Sequence, residues 1–410
     1  MAEMKDSGVV FIGNIPKEWG VYSVKHLFKI GRGRVISELE LDDDGKYPVY
    51  SSQTKNEGCM GYINTYDFDI DQLTWTTDGV YAGTVFIRHG KHNCTNVCGT
   101  LQPNEKNDND LQYLKYALEC IATYHRRKDI NGGKIMNNEM ARIKIPIPPK
   151  GIQINIAEFL DKKCAEIDML HSDIEKQIET LEEYKKSIIT EAVTKGLDPD
   201  VEMKDSGIEW IGMIPKNWNV DKIKYHLKRN EPKNPGNVEV LSVYREYGVI
   251  PKNSRDDNHN ITSEDTSKYK YVKKGDLVIN KMKAWQGSMG VSEYEGIVSP
   301  AYFIYNFTDN YLDKKYFHYL IRNCYKDEFR RISGGIREGQ WDLSADLFAK
   351  ESVLIPPKKE QIKIVEYLNT KCAEIDDVIV DKKKQLETLE QYKKSLIYEY
   401  VTGKKEVLND

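Results

Sequence analysis

The amino-acid sequence predicts an α+β fold with a pseudo-twofold internal repeat: two mixed α+β domains joined by two long helices packed as an antiparallel coiled coil. Three observations carry this expectation. The hexapeptide KCAEID stands at Lys163–Asp168 and again at Lys371–Asp376, 208 positions on, in a 410-residue chain with only seven cysteines. Around it, IPPKGIQINIAEFLDKKCAEID matches IPPKKEQIKIVEYLNTKCAEID, and ETLEEYKKSIITEAVTKG matches ETLEQYKKSLIYEYVTGK, at the same offset. A second pair, MKDSGVVFIGNIPKEW from Met4 and MKDSGIEWIGMIPKNW from Met203, is offset by 199. The chain therefore reads as head, variable segment and helix, twice over. The variable segments, roughly 20–144 and 219–353, absorb the change in offset and share little identity.

The repeated helices follow from periodicity. Leu160, Ile167, Ile174, Leu181 and Ile188 recur every seven residues, with Cys164, His171, Ile178 and Ala192 in the seam between them. Leu368, Cys372, Ile375, Ile379, Leu386, Leu389, Leu396 and Tyr400 repeat the pattern. This is the 3-4 spacing of a coiled coil. Pro148–Pro149 and Pro356–Pro357 precede the helices, where a missing N–H costs little. Gly196 and Gly403 follow the last turns and suit a left-handed C′ residue. Two similar halves in one chain tend to pack as two subunits of a dimer would. The expected division is a first domain at 1–150, a central helical spacer at 151–198, a second domain at 199–357 and a C-terminal spacer at 358–410.

Composition narrows the function classes. The formal charge of −4 and pI near 6.1 argue against a sequence-blind nucleic-acid coat, though not against a local basic face. No apolar run approaches the ~20 residues that span a bilayer. The N-terminal MAEMKDSG has neither a basic nor an apolar signal region, and seven scattered cysteines fit a reducing compartment. A cytoplasmic location is expected.

Both variable segments mix strand-like runs with glycine-centred turns, as in LTWTTDGVYAGTVFIR and GKYPVYSSQTKNEGCMGYI, then YVKKGDLVINKMKAWQGSMGV and GIVSPAYFIYN. Each closes on a short helical stretch, DLQYLKYALECIATYHRR or DKKYFHYLIRNCYKDEFRR. Their polar and basic clusters are the candidate DNA contacts. The first segment offers Arg32 and Arg34, the run Ser52, Gln53, Thr54 and Lys55, and Arg126 with Arg127. The second offers Tyr244 and Arg245, then Lys281, Lys283 and Gln286, then Arg337 and Gln340. Arginine and lysine pair with guanine edges or phosphates, and glutamine with adenine. Trp285 reads as core, because aromatic rings dominate core burial. Solvated loops or protein-binding tips on a coiled-coil scaffold are the competing readings.

Catalytic signatures are missing. Neither IPIPPK nor LIPPKK supplies the Asn/Asp-Pro-Pro-aromatic loop of an amino methyltransferase, and DINGGKIMN lacks the spacing and hydroxyl of a phosphate-binding loop. PDVEMK (Pro199–Lys204) imitates a nuclease carboxylate pair, but Asp200 and Glu202 lie on one linker and the first copy, AEMK, lacks the leading Asp. His89, His92, Cys94 and Cys98 could be zinc ligands, yet their spacing fits no familiar finger and suits a strand end. The chain reads as a non-catalytic reader with no metal site.

Taken together, DSGIEWIGMIPKNW, IPPKKEQIKIVEYL, KCAEID followed by ETLEQYKKSLI, and the tandem layout resemble the specificity subunit of type I restriction–modification systems along nearly the whole chain. KKGDLVINKMKAWQGSMG and GIVSPAYFIY resemble that family's target-recognition domains. One departure is Ile152, which stands where the second copy has Glu360. The resemblance implies two target-recognition domains, each reading half of a bipartite, asymmetric site in double-stranded DNA. It implies helical spacers that set the distance between halves and dock two methyltransferase subunits, with two restriction/translocase subunits in the full complex. No cofactor is expected in this chain; S-adenosylmethionine, ATP and Mg2+ are expected on the partners. A related bifunctional restriction enzyme that cuts on both sides of its site is the nearest alternative home for such a subunit.

Overall fold

The computed structural model describes residues 3–105, 107–129, 132–236, 238–245, 247–254, 265–335 and 341–407. The chain divides into two compact units, residues 1–175 with 383–410, and residues 176–382. Both divisions fall within long helices, so each unit holds the beginning of one helix and the end of the other.

In the first unit, β1 (Phe28–Arg32), β2 (Gln72–Thr76), β3 (Val85–Arg88) and β4 (Cys98–Pro103) form an antiparallel sheet in the order β3-β2-β4-β1. Helix α1 (Leu111–Ala122) follows, and α2 (Lys150–Lys195) runs on across the division. In the second unit, β5 (Leu227–Arg229), β6 (Leu277–Asn280), β7 (Met289–Val291) and β8 (Tyr302–Phe307) are ordered β7-β6-β8-β5, again antiparallel. Then come α3 (Lys314–Cys324), α4 (Lys326–Arg331) and α5 (Lys358–Val401).

The two sheets share one register. Trp75 pairs with Val85 and Gly99, while Ile279 pairs with Met289 and Phe303, so an offset of 204 holds along three strands. That value lies between the head and helix offsets. The segments with little identity therefore keep a common backbone frame. Every residue of β2 and of β6 is buried, so neither strand shows the in-out alternation of a half-exposed strand.

The expected helices form over 46 and 44 residues. Leu160, Ile167 and Ile188, and Leu368, Ile375 and Leu396, are buried, while Ile174, Leu181 and Leu389 are half-buried. Gly196 and Gly403 take φ of +80° and +68°, the left-handed conformation expected of them. A Cβ on Gly403 would lie 2.4 Å from Pro16, so the head segment closes directly over the end of α5.

Within each unit the helix start and the helix end run antiparallel and meet through repeat-equivalent contacts. In the first unit Lys393 Nζ bonds Asp168 Oδ1 at 2.6 Å, and Phe159 packs on Tyr400. In the second unit Lys185 Nζ bonds Asp376 Oδ2 at 2.6 Å. Asp168 and Asp376 close the two KCAEID copies, and Lys185 and Lys393 lie in the two YKKS copies. The domain helices dock by the same logic: Tyr113 of α1 donates its hydroxyl to Val401 O, and Tyr316 of α3 to Val193 O.

One buried amide fastens each domain to its helix start. Gln361, fully buried, accepts from the Asp313 N–H and donates to the carbonyls of Tyr311 and Pro356. Gln153 accepts from the Asp110 N–H and donates to the side-chain Oδ1 of Asn109 and the carbonyl of Pro148. The substitution of Ile152 for Glu360 leaves this anchor intact. Replacing Gln361 by methionine keeps the volume but orphans three groups, each costing about 1–3 kcal/mol. We expect Gln361→Met to lower the unfolding midpoint of the chain by several degrees in a calorimetric scan; an unchanged midpoint would remove the amide's anchoring role.

Candidate nucleic-acid interface

In the second unit the connection from β6 to β7 carries Lys281, Lys283, Trp285 and Gln286. Ala284 takes the buried place in this turn and Gly287 closes it with φ +90°. Trp285, expected in the core, is half-exposed instead: its ring packs on Trp341 at 5.7 Å and its Nε1 donates to Met282 O. The small Ala284 fills the interior, which leaves the indole at the rim. Lys281 Nζ lies 2.7 Å from Asp342, so its charge is locally balanced, whereas Lys283 is exposed and Gln286 half-exposed.

Basic groups from other elements gather around this turn. The α4 helix packs against it, bringing the Arg330 guanidinium to 5.9 Å from the Trp341 ring. A Cβ on Gly287 would meet Lys326 Cε at 3.1 Å and Arg245 Cγ at 4.0 Å. Arg322 Nη2 donates to the Arg245 carbonyl and fixes that segment to α3. Beside it, His318 accepts from the Val291 N–H through Nδ1. Burial, reinforced by the Arg322 charge, pushes the His318 pKa down to about 3, which keeps the ring neutral near pH 7. Tyr244 lies on the adjoining strand Leu241–Tyr244, with its ring 6.3 Å from Tyr247. Arg337 and Gln340 lie outside the described residues. Lys326, Arg330 and Trp341 are not among the candidate residues of the sequence; Trp341 closes the polar run GGIREGQW, while Lys326 and Arg330 lie in KDEFRR.

In the first unit the candidates fall in different settings. Arg32 donates through Nε to Asn137 Oδ1 at 3.0 Å. Arg34 is committed to Glu40 at 2.8 Å and Asp67 at 3.1 Å, two ion pairs that raise its pKa. Arg126 and Arg127 are exposed, and the strand Arg127–Asp129 joins Gly132–Lys134 and Asp78–Gly79 in a small sheet. Ser52 Oγ donates to Val97 O and accepts from the Thr77 N–H, tying the SSQTK segment to the same edge. Gln53 donates to Cys59 O, and Thr54 and Lys55 lead into a turn where Asn56 and Glu57 take left-handed φ of 48° and 51°. Two consecutive non-glycine residues in that region store strain, a frequent property of functional loops.

Beneath that turn lies a cation that sequence reasoning overlooked. Arg88, 2% exposed, is sandwiched on Tyr50, with its guanidinium carbon 3.6 Å from the ring centroid. Its Nε donates to Thr74 Oγ1, and a Cβ on Gly58 would stand 3.0 Å from its Nη2. Burial lowers its pKa. The residue supports the strained turn from below.

The decoys have structural explanations. Glu202 pairs with Lys216 at 2.7 Å, and Glu3 pairs with Lys17 at 3.0 Å in the first copy, so these carboxylates clamp the head hairpins. His89 bonds Asp71, and buried His92 bonds Gln72 and the Gly90 carbonyl. Among the described residues no group of three or more His, Cys, Asp or Glu side chains is placed to hold a metal ion.

Two copies of one domain frame, reciprocally docked on two long helices and carrying different polar loops, define a tandem-repeat recognition protein. The model of the type I restriction modification DNA specificity domain matches residues 16–180 and 219–388, and the chain belongs to that family. A Mycoplasma pneumoniae protein described as a type I specificity subunit is 33% identical over 198 residues, covering 46% of this chain and 63% of its own. A second protein of that organism is 41% identical over 140 residues, covering 34% of this chain and 38% of its own. A type I restriction enzyme specificity subunit of Methanocaldococcus jannaschii is 27% identical over 432 residues, covering 96% and 95%. This chain thus spans less than two thirds of both Mycoplasma relatives. A chain solved in a study of type I restriction–modification complex assembly shares the fold, with a TM-score of 0.68 at 11% identity over 95% of this chain and 99% of that one.

Proposed function

We propose that the chain is the non-catalytic, DNA-reading subunit of a type I restriction–modification complex. The observation that carries this reading is the pairing of one repeated backbone frame with two different sets of loop side chains, in a member of the specificity family. Residues 1–150 and 199–357 are then the two target-recognition domains, and each contacts one half of a bipartite double-stranded DNA site. Arg245, Lys283, Gln286, Lys326 and Arg330 are the candidate contacts in one domain, and Arg32, Arg126, Arg127 and the Ser52–Lys55 segment in the other. S-adenosylmethionine, ATP and Mg2+ belong to partner subunits working in the cytoplasm. No described helix is long and apolar enough to cross a membrane.

The helices carry a repeated pattern of exposed apolar residues that suits two identical partners. Ile154, Leu170 and Tyr392 in the first unit are 37%, 53% and 55% exposed. Their repeat equivalents in the second unit, Ile362, Val378 and Tyr184, are 43%, 45% and 57% exposed. Such equivalent triads suit one methyltransferase subunit each, giving two per chain, with two restriction/translocase subunits in the full complex. Tyr184→Arg with Tyr392→Arg should abolish co-purification with the methyltransferase subunit while leaving the chain folded by circular dichroism. Undiminished co-purification would move the docking surface elsewhere.

The reading itself is tested by exchanging residues 20–144 for the first variable segment of another family member. Sequencing the methylome of a host carrying the exchanged chain and its methyltransferase should show one half-site changed and the other retained. Simultaneous change of both halves would contradict independent readers.

A further inference from the structure

The β2–β3 connection of the first unit spans residues 76–84, counting the last residue of β2. Its ends are anchored as those of the β6–β7 connection, residues 280–288, although the tips between differ: Gly79 has φ +95° where Lys283 has φ −125°. Thr76 N–H donates to Thr84 O at 3.0 Å, and Asn280 N–H to Ser288 O at 3.0 Å. Ile135 N–H donates to Thr77 O at 2.9 Å, and Leu343 N–H to Lys281 O at 2.9 Å. Gly83 and Gly287 close the two turns with φ of +88° and +90°. The two connections have the same length and the same flanking register.

Between those shared anchors the side chains differ at every position from 77 to 82, and so does the buried one, Ala82 in the first turn and Ala284 in the second. Thr77, Asp78, Gly79, Val80, Tyr81 and Ala82 stand where the second unit has Lys281, Met282, Lys283, Ala284, Trp285 and Gln286. Val80 and Tyr81 are 72% and 62% exposed, an aliphatic and an aromatic group standing together in solvent. The turn beneath them is braced, because the Tyr81 carbonyl accepts from the Thr76 hydroxyl and from both the N–H and the hydroxyl of Thr84. Lys134 pairs with Asp78 at 3.0 Å, and exposed Arg127 follows in the adjoining strand. Arg127 itself has Glu139 at 3.7 Å, so the braced turn presents its exposed aromatic tip, rather than a free charge, to base edges.

We propose that residues 77–82 form the base-contacting turn of the first domain, the counterpart of residues 281–286, with Tyr81 as its principal specificity-determining side chain. This rests on the DNA-reading function proposed above. Tips that differ in conformation and side chains, set on common anchors, let one domain type read different sequences without altering its core. Tyr81 occupies the place of Trp285, and the hydrogen-bonding role given to Gln286 has no counterpart at Ala82. The two turns therefore read by different chemistry: the first through apolar and phenolic contacts, the second with an added amide.

The assembled complex with methyltransferase provides the test, by titration against the methylated site and all its single-base variants. Tyr81→Ala should weaken binding to the intact site by about 5- to 150-fold and flatten discrimination at one or two positions of one half-site. The other half-site should keep its full discrimination. Placing the six side chains of residues 281–286 on positions 77–82 should shift the preferred bases at those same positions. Should the Tyr81→Ala complex discriminate every variant as the unaltered complex does, the turn is not the reader, although the domain remains one. Should the unaltered complex show no sequence preference at all, the DNA-reading function falls, and this proposal with it.

Discussion

The packing of each helix start against the other helix's end is the constraint from which the rest of the architecture follows. In KCAEID, Cys164 and Ile167 fill the apolar seam, Lys163 pairs with Glu166, and Asp168 reaches Lys393. The second copy repeats each contact, with Cys372, Ile375, the Lys371–Glu374 pair and the Asp376–Lys185 bridge. The bridges are partly exposed, so each contributes at most about 1 kcal/mol. A single buried leucine such as Leu160 or Leu368 contributes about 1.5–3 kcal/mol. The apolar stripe thus supplies the stability, and the ion pairs select one antiparallel register. Each unit repeats the same contact between a helix start and a helix end.

Much of this was legible in the sequence for physical reasons. Seven-residue spacing and flanking proline and glycine describe a helix face and its ends directly, because helix geometry is local. The sheets were less legible. Strand β6 is an unbroken apolar run, Leu277–Ile279, and β2 is buried at every residue although Gln72–Thr76 alternates polar and apolar in sequence, so alternation disclosed the burial of neither. The common frame was hidden because its offset of 204 matches neither flanking repeat. Availability for contact was less legible still. Arg34 looks free in the string GRGR yet is held by two carboxylates, and Arg88 ends a strand yet lies sealed under a turn. Charge pairing and burial are tertiary properties, which residue type alone does not encode.

On the proposed DNA-reading function, the division between frame and loop would let such a protein change specificity without refolding. The core side chains, the Gln153 and Gln361 anchors and the Tyr113 and Tyr316 docks fix each domain to its helices. The turns stand on that frame as substitutable tips. A small reader discriminates only a few base pairs, which is too little against a genome of competing sites. On that reading, two readers in one chain would make the second contact intramolecular, so their selectivities would multiply.

The central claim is that two readers act as one. It is tested most directly by measuring the affinity of the assembled complex for the bipartite duplex and for duplexes carrying one half-site with the other scrambled. The account predicts that each half alone binds at least about 100-fold more weakly than the intact site at the same salt concentration. Binding of one half-site duplex as tightly as the intact site would contradict it.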